Sequence, residues 1–261
     1  MMDFKNQTVV ITGGTSGMGR ATAKRFAQLG ANVVFTGRDQ TKGAQVTEEI
    51  KALQTQGEVL FVHSDVSRAD DVASLAQIVA DQCGGCDVLV NNAGIFIGGP
   101  IHETKEDDWN HVMAVNVTGV YLMCRNFLPQ MLAKGKGAII NNSSVSGLRG
   151  EYNMAAYTAT KGAVSNLTRS MALDYADQGI RVNCVCPSAT RTPMFLTGST
   201  DEIIEAFNAV FPPRRVGEPE EVANLIVFLA SQEASFLNGL NVPVDGGLLA
   251  HSGQPRQMKE E

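Results

Sequence analysis

A β-branched run that breaks into glycines and then into helical spacing constrains this chain more than any other stretch. Residues 8–11, TVVI, lead into Thr12 and the turn TGGTSGMG, and helical spacing follows from about Met18 to Leu29, ending at Gly30. Strand, glycine turn and helix in that order open a βαβ unit. Gly13, Gly17 and Gly19 are spaced G-x-x-x-G-x-G, which differs from the familiar G-x-G-x-x-G fingerprint. The physics is the same. Glycines let the backbone approach a pyrophosphate, and the free N–H groups and positive end of the helix bind the anion. Thr15 and Ser16 add hydroxyl donors, and Met18 lies in the same turn. The competing reading is a tight connection with no ligand.

The pattern then repeats. Strands are expected at Asn32–Thr36, Glu58–His63, Asp87–Val90, Ala138–Asn141, Ile180–Cys186 and Leu240–Val244. Helices are expected at Gln40–Leu53, Arg68–Gln82, Glu106–Leu132, Met154–Ala176 and Pro219–Ser231. Alternation at intervals of about 25–30 residues predicts a doubly wound parallel sheet of about seven strands, with helices on both faces. No linker or repeat interrupts residues 1–261, so one domain is expected. A loop-rich segment at about 187–215 holds one short helix, and a polar tail at about 251–261 extends from the domain or lies on a neighbouring subunit.

Composition removes several function classes. The net charge is −6 and no basic run exists, which argues against nucleic acid as partner. No stretch of about 18 apolar residues predicts a membrane span, and the N-terminus carries no apolar signal region. Five cysteines, an odd count, suit reduced thiols in a cytoplasm. Cys83 and Cys86 form a lone CxxC, read as core packing, and Cys184 and Cys186 read as buried thiols. The four histidines are scattered without ligand spacing, so no metal is expected.

The stretch Asn141–Lys161 carries the chemistry. Tyr157 and Lys161 are four residues apart, which puts both side chains on one helix face. A free tyrosine has a pKa of about 10. A nearby ammonium favours the phenolate, making the phenol a usable proton donor to a carbonyl oxygen or acceptor from an alcohol. Ser144 sits on a Ser/Gly turn thirteen residues before Tyr157, where its hydroxyl can hold the same oxygen. Two unrelated surface side chains are the bland alternative for a Tyr/Lys pair alone.

The second strand ends at Thr36-Gly37-Arg38. An acid that binds the ribose 2′-hydroxyl of NAD is expected about here. An arginine without a carboxylate suits a 2′-phosphate instead, so NADP(H) is favoured over NAD(H). Asp39 partly offsets that charge, and a solvated loop arginine is the alternative.

Taken together, these motifs resemble the short-chain dehydrogenase/reductase family over nearly the whole chain. Thr12–Gly19 matches its cofactor turn, Asn91–Gly94 its Asn-Asn-Ala-Gly, and Asn116 its helix asparagine. Ser144, Tyr157 and Lys161 match its catalytic set, and RVGEPEEVA and VPVDGG its C-terminal segments. The resemblance implies a Rossmann-type fold and an NAD(P)-dependent oxidoreductase acting on a small carbonyl or alcohol substrate, assembled as a homotetramer through the two long helices. It implies Tyr157 as general acid/base and Lys161 as its pKa-lowering, ribose-binding partner. Ser144 would polarise the substrate oxygen, and Asn116 would hold a water. Asp65 and Val66 would border the adenine, Asn92, Ala93 and Gly94 would line the cofactor, and Thr190 and Thr192 would contact the carboxamide. Ser188 stands where the family has glycine, which puts the backbone there in question.

Apolar residues Met194, Phe195, Phe207 and Phe211 in the loop-rich segment suggest a largely apolar substrate, with subunit packing or a closing lid that makes little contact as the alternative. Leu148, Glu151 and Tyr152 are further candidate lining, and Arg149 and Arg191 are the candidate carboxylate clamps. Rival functions are a 3-oxoacyl-carrier-protein reductase, with Lys134 and Lys136 as a slight basic docking surface, an NAD-dependent alcohol dehydrogenase, and a non-catalytic cofactor sensor. A methyltransferase would leave Tyr157 and Lys161 unexplained.

Overall fold

The structure, a computed structural model, describes residues 2–252 and 254. Among these, seven parallel strands make one sheet: β1 (Thr8–Ile11), β2 (Asn32–Gly37), β3 (Val59–His63), β4 (Val88–Asn91), β5 (Gly137–Asn142), β6 (Ile180–Pro187) and β7 (Asn241–Val244). Their order is β3-β2-β1-β4-β5-β6-β7. The helices are α1 (Gly17–Gln28), α2 (Gln40–Lys51), α3 (Ala69–Cys83), α4 (Glu106–Met113), α5 (Gly119–Lys134), α6 (Ala155–Asp174), α7 (Pro193–Leu196), α8 (Asp201–Val210) and α9 (Pro219–Ala230).

The strands read as continuous apolar runs because both faces of the sheet are covered. Val10, Val34, Leu89, Ile139 and Val182 point to one face, where they meet Leu75 of α3, Phe127 of α5 and Val164 of α6. Their neighbours Val9, Val33, Val90, Ile140 and Val185 point to the other, against Phe26 of α1, Ile50 of α2 and Ile226 of α9. Arg181 of β6 reaches the end of α9 and donates to the carbonyls of Leu229 (2.6 Å), Ala230 (3.1 Å) and Ser231 (3.0 Å).

The strand order reverses between β1 and β4, which pair Val10 with Leu89. Crossovers leave to opposite faces there, so a crevice opens at the carboxyl ends of these two strands. The glycine turn follows β1 and Asn92 follows β4.

Three sequence expectations change. The single helix expected at Glu106–Leu132 is α4 and α5 joined by a π-helical turn, Ala114–Thr118. The loop-rich segment holds two helices, α7 and α8, instead of one. Thr200 caps α8 by accepting from Ile203 N, and Asp201 and Glu202 in the first turn suit the helix dipole. Ser188 needs no unusual backbone, because it is not among the residues with positive φ and its N–H donates to Val244 O at 3.2 Å.

Cys86, Cys124, Cys184 and Cys186 are buried and free, and Cys83 is half-buried and free. Among the described residues no three His, Cys, Asp or Glu side chains gather in a metal-binding group, and no helix is long and apolar enough to cross a membrane. The expected polar tail lies outside the described residues apart from His251, Ser252 and Gln254.

Candidate active site

The cleft at the β1/β4 junction is lined by Gly13, Thr15, Ser16, Gly17 and Met18 of the glycine turn and α1, and by Arg38. Asp65, Val66, Asn92, Ala93, Gly94 and Thr192 complete the residues expected there from sequence. Two others differ. Gly19 lies beneath the turn, where an added Cβ would come within 2.2 Å of Gly13 O and 2.5 Å of Asn92 Nδ2. Thr190 is buried, and its hydroxyl donates to Ser188 O at 2.9 Å.

Thr12 and Asn92 tie the two strand ends together. The Thr12 hydroxyl accepts from the N–H groups of Asn92 and Ala93, both at 2.9 Å. The Asn92 side chain donates to Thr12 O at 3.0 Å and Gly13 O at 3.2 Å. Its oxygen accepts from Asn142 Nδ2 at 2.9 Å.

Gly37 also lines the cleft and offers no carboxylate, and any side chain there would need Thr15 to shift. A Cβ there would lie 2.7 Å from Thr15 Cγ2. Arg38 is well exposed and its guanidinium stands 4.0 Å from Asp65. Burial acts to raise the Asp65 carboxyl, but hydrogen bonds from the Ser67 hydroxyl and N–H, with Arg38 and Arg68 nearby, hold it below its ordinary value.

Sequence reasoning missed Thr36 and Ser64. Both line the cleft and both are buried, yet Thr36 Oγ1 and Ser64 Oγ have no hydrogen-bond partner in the protein. Buried hydroxyls of this kind normally find partners, so the cleft suits a ligand with donors and acceptors, such as the ribose and adenine of a dinucleotide. Hydroxyl residues closing the second strand, or following the third, were the available signal.

The proton-transfer residues gather beside the cleft. Lys161 is buried on α6. Its ammonium donates to Asn142 O at 2.9 Å and lies 5.5 Å from the centre of the Tyr157 ring. Ser144 is also buried. Its Oγ accepts from Ser146 N at 3.1 Å, capping a short 3₁₀ turn, and reaches Pro187 O at 3.4 Å. Asn116, in the π turn, grips the chain after Gly94: Ile95 N donates to its Oδ1, and its Nδ2 donates to Ile95 O, both at 2.9 Å. That amide also donates to Thr160 Oγ1 at 3.1 Å on α6.

The apolar segment after β6 divides. Met194 lines the cleft and is half-exposed. Phe195, Phe207 and Phe211 instead pack on one another, with ring centres 5.3 and 6.1 Å apart in sequence order, and Phe211 is buried. Both candidate carboxylate clamps have other partners. Arg191 Nε donates to Glu218 at 3.2 Å, and Arg149 donates to Leu148 O at 2.9 Å.

Comparison with known proteins agrees with this geometry. Residues 13–249 match the family model described as enoyl-(acyl carrier protein) reductase, which covers short-chain dehydrogenases. The chain belongs to the short-chain dehydrogenase/reductase family. It is 46% identical over 255 residues to meso-2,3-butanediol dehydrogenase of Serratia marcescens, covering 98% of this chain and 99% of that protein. It is 42% identical to glucose 1-dehydrogenase of Gluconobacter oxydans (strain 621H), covering 94% and 92%. The crystal structure of levodione reductase superposes with a TM-score of 0.92 at 34% identity, covering 95% of this chain and 99% of that one. An oxidoreductase acting on alcohol or carbonyl groups with a nicotinamide cofactor follows from these likenesses.

Proposed function

We propose that the chain moves a hydride between NADP(H) and a small, largely apolar ketone or secondary alcohol. The observation that carries this reading is the buried Lys161 ammonium held over the Tyr157 ring by the Asn142 carbonyl, beside the cleft at the β1/β4 junction. The nicotinamide, when bound, supplies or accepts the hydride. Tyr157 gives its hydroxyl proton to the carbonyl oxygen, or takes one from the alcohol. Ser144 orients that oxygen, and Lys161 supplies positive charge next to the phenol. Asn116 fixes the Gly94–Ile95 turn that borders the reacting end. The glycine turn and the N-terminus of α1 hold the pyrophosphate, and Thr36, Ser64, Asp65 and Val66 hold the adenosine half.

Arg38 and the missing carboxylate at Gly37 favour a 2′-phosphate. Fluorescence titration of the purified protein should show NADPH binding at least about tenfold tighter than NADH, and Arg38→Ala should remove most of that difference while leaving NADH unchanged. Equal affinities in the unaltered protein would make Arg38 a surface charge and favour the NAD-dependent reading.

Relatives named for butanediol and glucose support a neutral hydroxylated or carbonyl substrate. The rival acyl-carrier substrate needs a basic docking surface, and Lys134 is already paired with Asp87 at 2.9 Å. We also propose a homotetramer packed through α5 and α6. Exposed Tyr121 on α5 and Leu173 on α6 support it. Light scattering at micromolar concentration should give about four times the 27.9 kDa chain mass; a monomer would overturn the assembly.

A further inference from the structure

The segment that follows Gly94 has no regular structure, yet it is fixed at both ends. Asn116 grips the backbone of Ile95 in both directions at 2.9 Å. Four residues on, Gly99 N donates to Asn153 O at 2.6 Å, and Gly99 forms a parallel bridge with Met154, immediately before the helix that carries Tyr157. Between these anchors stands Phe96. Gly98 leaves room for its ring, since a Cβ there would come within 3.0 Å of Phe96 Cζ.

The Phe96 ring meets the Tyr157 ring edge-on, with centres 5.3 Å apart and planes at 66°. Even so, 44% of the residue remains exposed. A phenylalanine this open contributes little to the core, and its chain neighbour Ile95 lines the cleft. An aromatic face beside a proton-donating phenol attracts hydrocarbon and repels a carboxylate. Arg191 is paired with Glu218, and Arg149 donates to the carbonyl of its chain neighbour Leu148.

We propose that Phe96 is a specificity-determining residue: its open face receives the larger apolar substituent on the carbonyl carbon. The substrate class is then an uncharged ketone or secondary alcohol with one small group and one ring-sized or branched hydrocarbon group. This rests on the apolar ketone/alcohol reading proposed above, and the test separates the two.

Steady-state reduction of cyclohexyl methyl ketone and of butanone with NADPH is measured for the unaltered protein, Phe96→Ala and Phe96→Leu. Phe96→Ala should lower kcat/KM for the cyclohexyl ketone about tenfold or more, through KM, and change butanone by no more than about twofold. Phe96→Leu, which keeps apolar bulk, should recover most of the loss. The pH profile of kcat and the NADPH dissociation constant should not move. A fall in kcat for both ketones alike, with an altered pH profile, would make Phe96 a support for Tyr157 and overturn the assignment. So would unchanged kinetics for both. If the unaltered protein binds NADPH but turns over neither ketone nor either matching alcohol, the proposed apolar-ketone reading is overturned and the Phe96 assignment falls with it.

Discussion

Tyr157→Phe is expected to lower ketone turnover by about a thousandfold, the size of effect that follows from removing a general acid. The change deletes one oxygen and keeps the ring. Its contact with Phe96 at 5.3 Å and its place 5.5 Å from the Lys161 ammonium both survive. Tyr157 is only half-buried, so the fold should tolerate the variant with a melting temperature within a few degrees of the parent. NADPH affinity, read by fluorescence, should stay near that of the unaltered protein, because the glycine turn, Arg38 and the adenosine side of the cleft are untouched. Loss of turnover without loss of binding separates proton transfer from cofactor capture. A variant that kept more than about a tenth of the parent kcat would remove Tyr157 from that role.

The largest stability effect is expected at Arg181. The carbonyls at the end of an α-helix have no partners within it, and that end carries partial negative charge. One guanidinium meets three of them at the end of α9, at 2.6, 3.1 and 3.0 Å, and touches Leu237 O at 3.5 Å. Burial pushes the guanidinium pKa down, but arginine starts so high that it stays charged at neutral pH. Arg181→Met keeps the apolar stem and takes this donor from the carbonyls of buried Leu229 and Ala230, while Ser231 O keeps Ala234 N and Leu237 O keeps Asn183 Nδ2. The expected cost is about 2–4 kcal/mol, or a fall of about 5–10 °C in melting temperature. Arg181→Lys should recover less than half, because an ammonium cannot fork across several carbonyls. Calorimetry checks both. An unchanged melting temperature for Arg181→Met would mean that water serves these carbonyls equally well.

Much of the fold was legible because the sheet is buried on both faces. Residues 8–11 were read as a strand to the exact residue from apolar continuity and the glycines that follow. The glycine turn and Asn92–Gly94, which share one cleft, and the Tyr157/Lys161 pair on one helix stand out because each is a set of particular residue types at fixed spacing. Other features left weaker traces. The π turn keeps helical composition, so apolar spacing alone reads straight through it. The α8 cap at Thr200 followed by two acids was a readable signal, obscured by the short segment around it. Composition also cannot separate a substrate wall from aromatics that pack on each other, and here Phe195, Phe207 and Phe211 do the latter. Thr190 matched a motif position, yet its hydroxyl serves its own loop. Phe96 belongs to no motif, and only its position against Tyr157 draws attention to it.

The π turn between α4 and α5 has a consequence for how the long rod is phased. In an α-helix each residue turns the chain by about 100°, so one extra residue rotates everything after it by that angle. Val112 of α4 is buried before the turn, and Phe127 and Met131 of α5 are buried after it. Asn116 lies between them and faces Ile95 and Thr160. The wide turn lets the two helices keep independent angular settings, so that the asparagine is aimed without swinging Phe127 and Met131 off the sheet. Residues 114–118 therefore act as a phase shifter, and a deletion within them would force the rod to choose between aiming its amide and seating its apolar stripe.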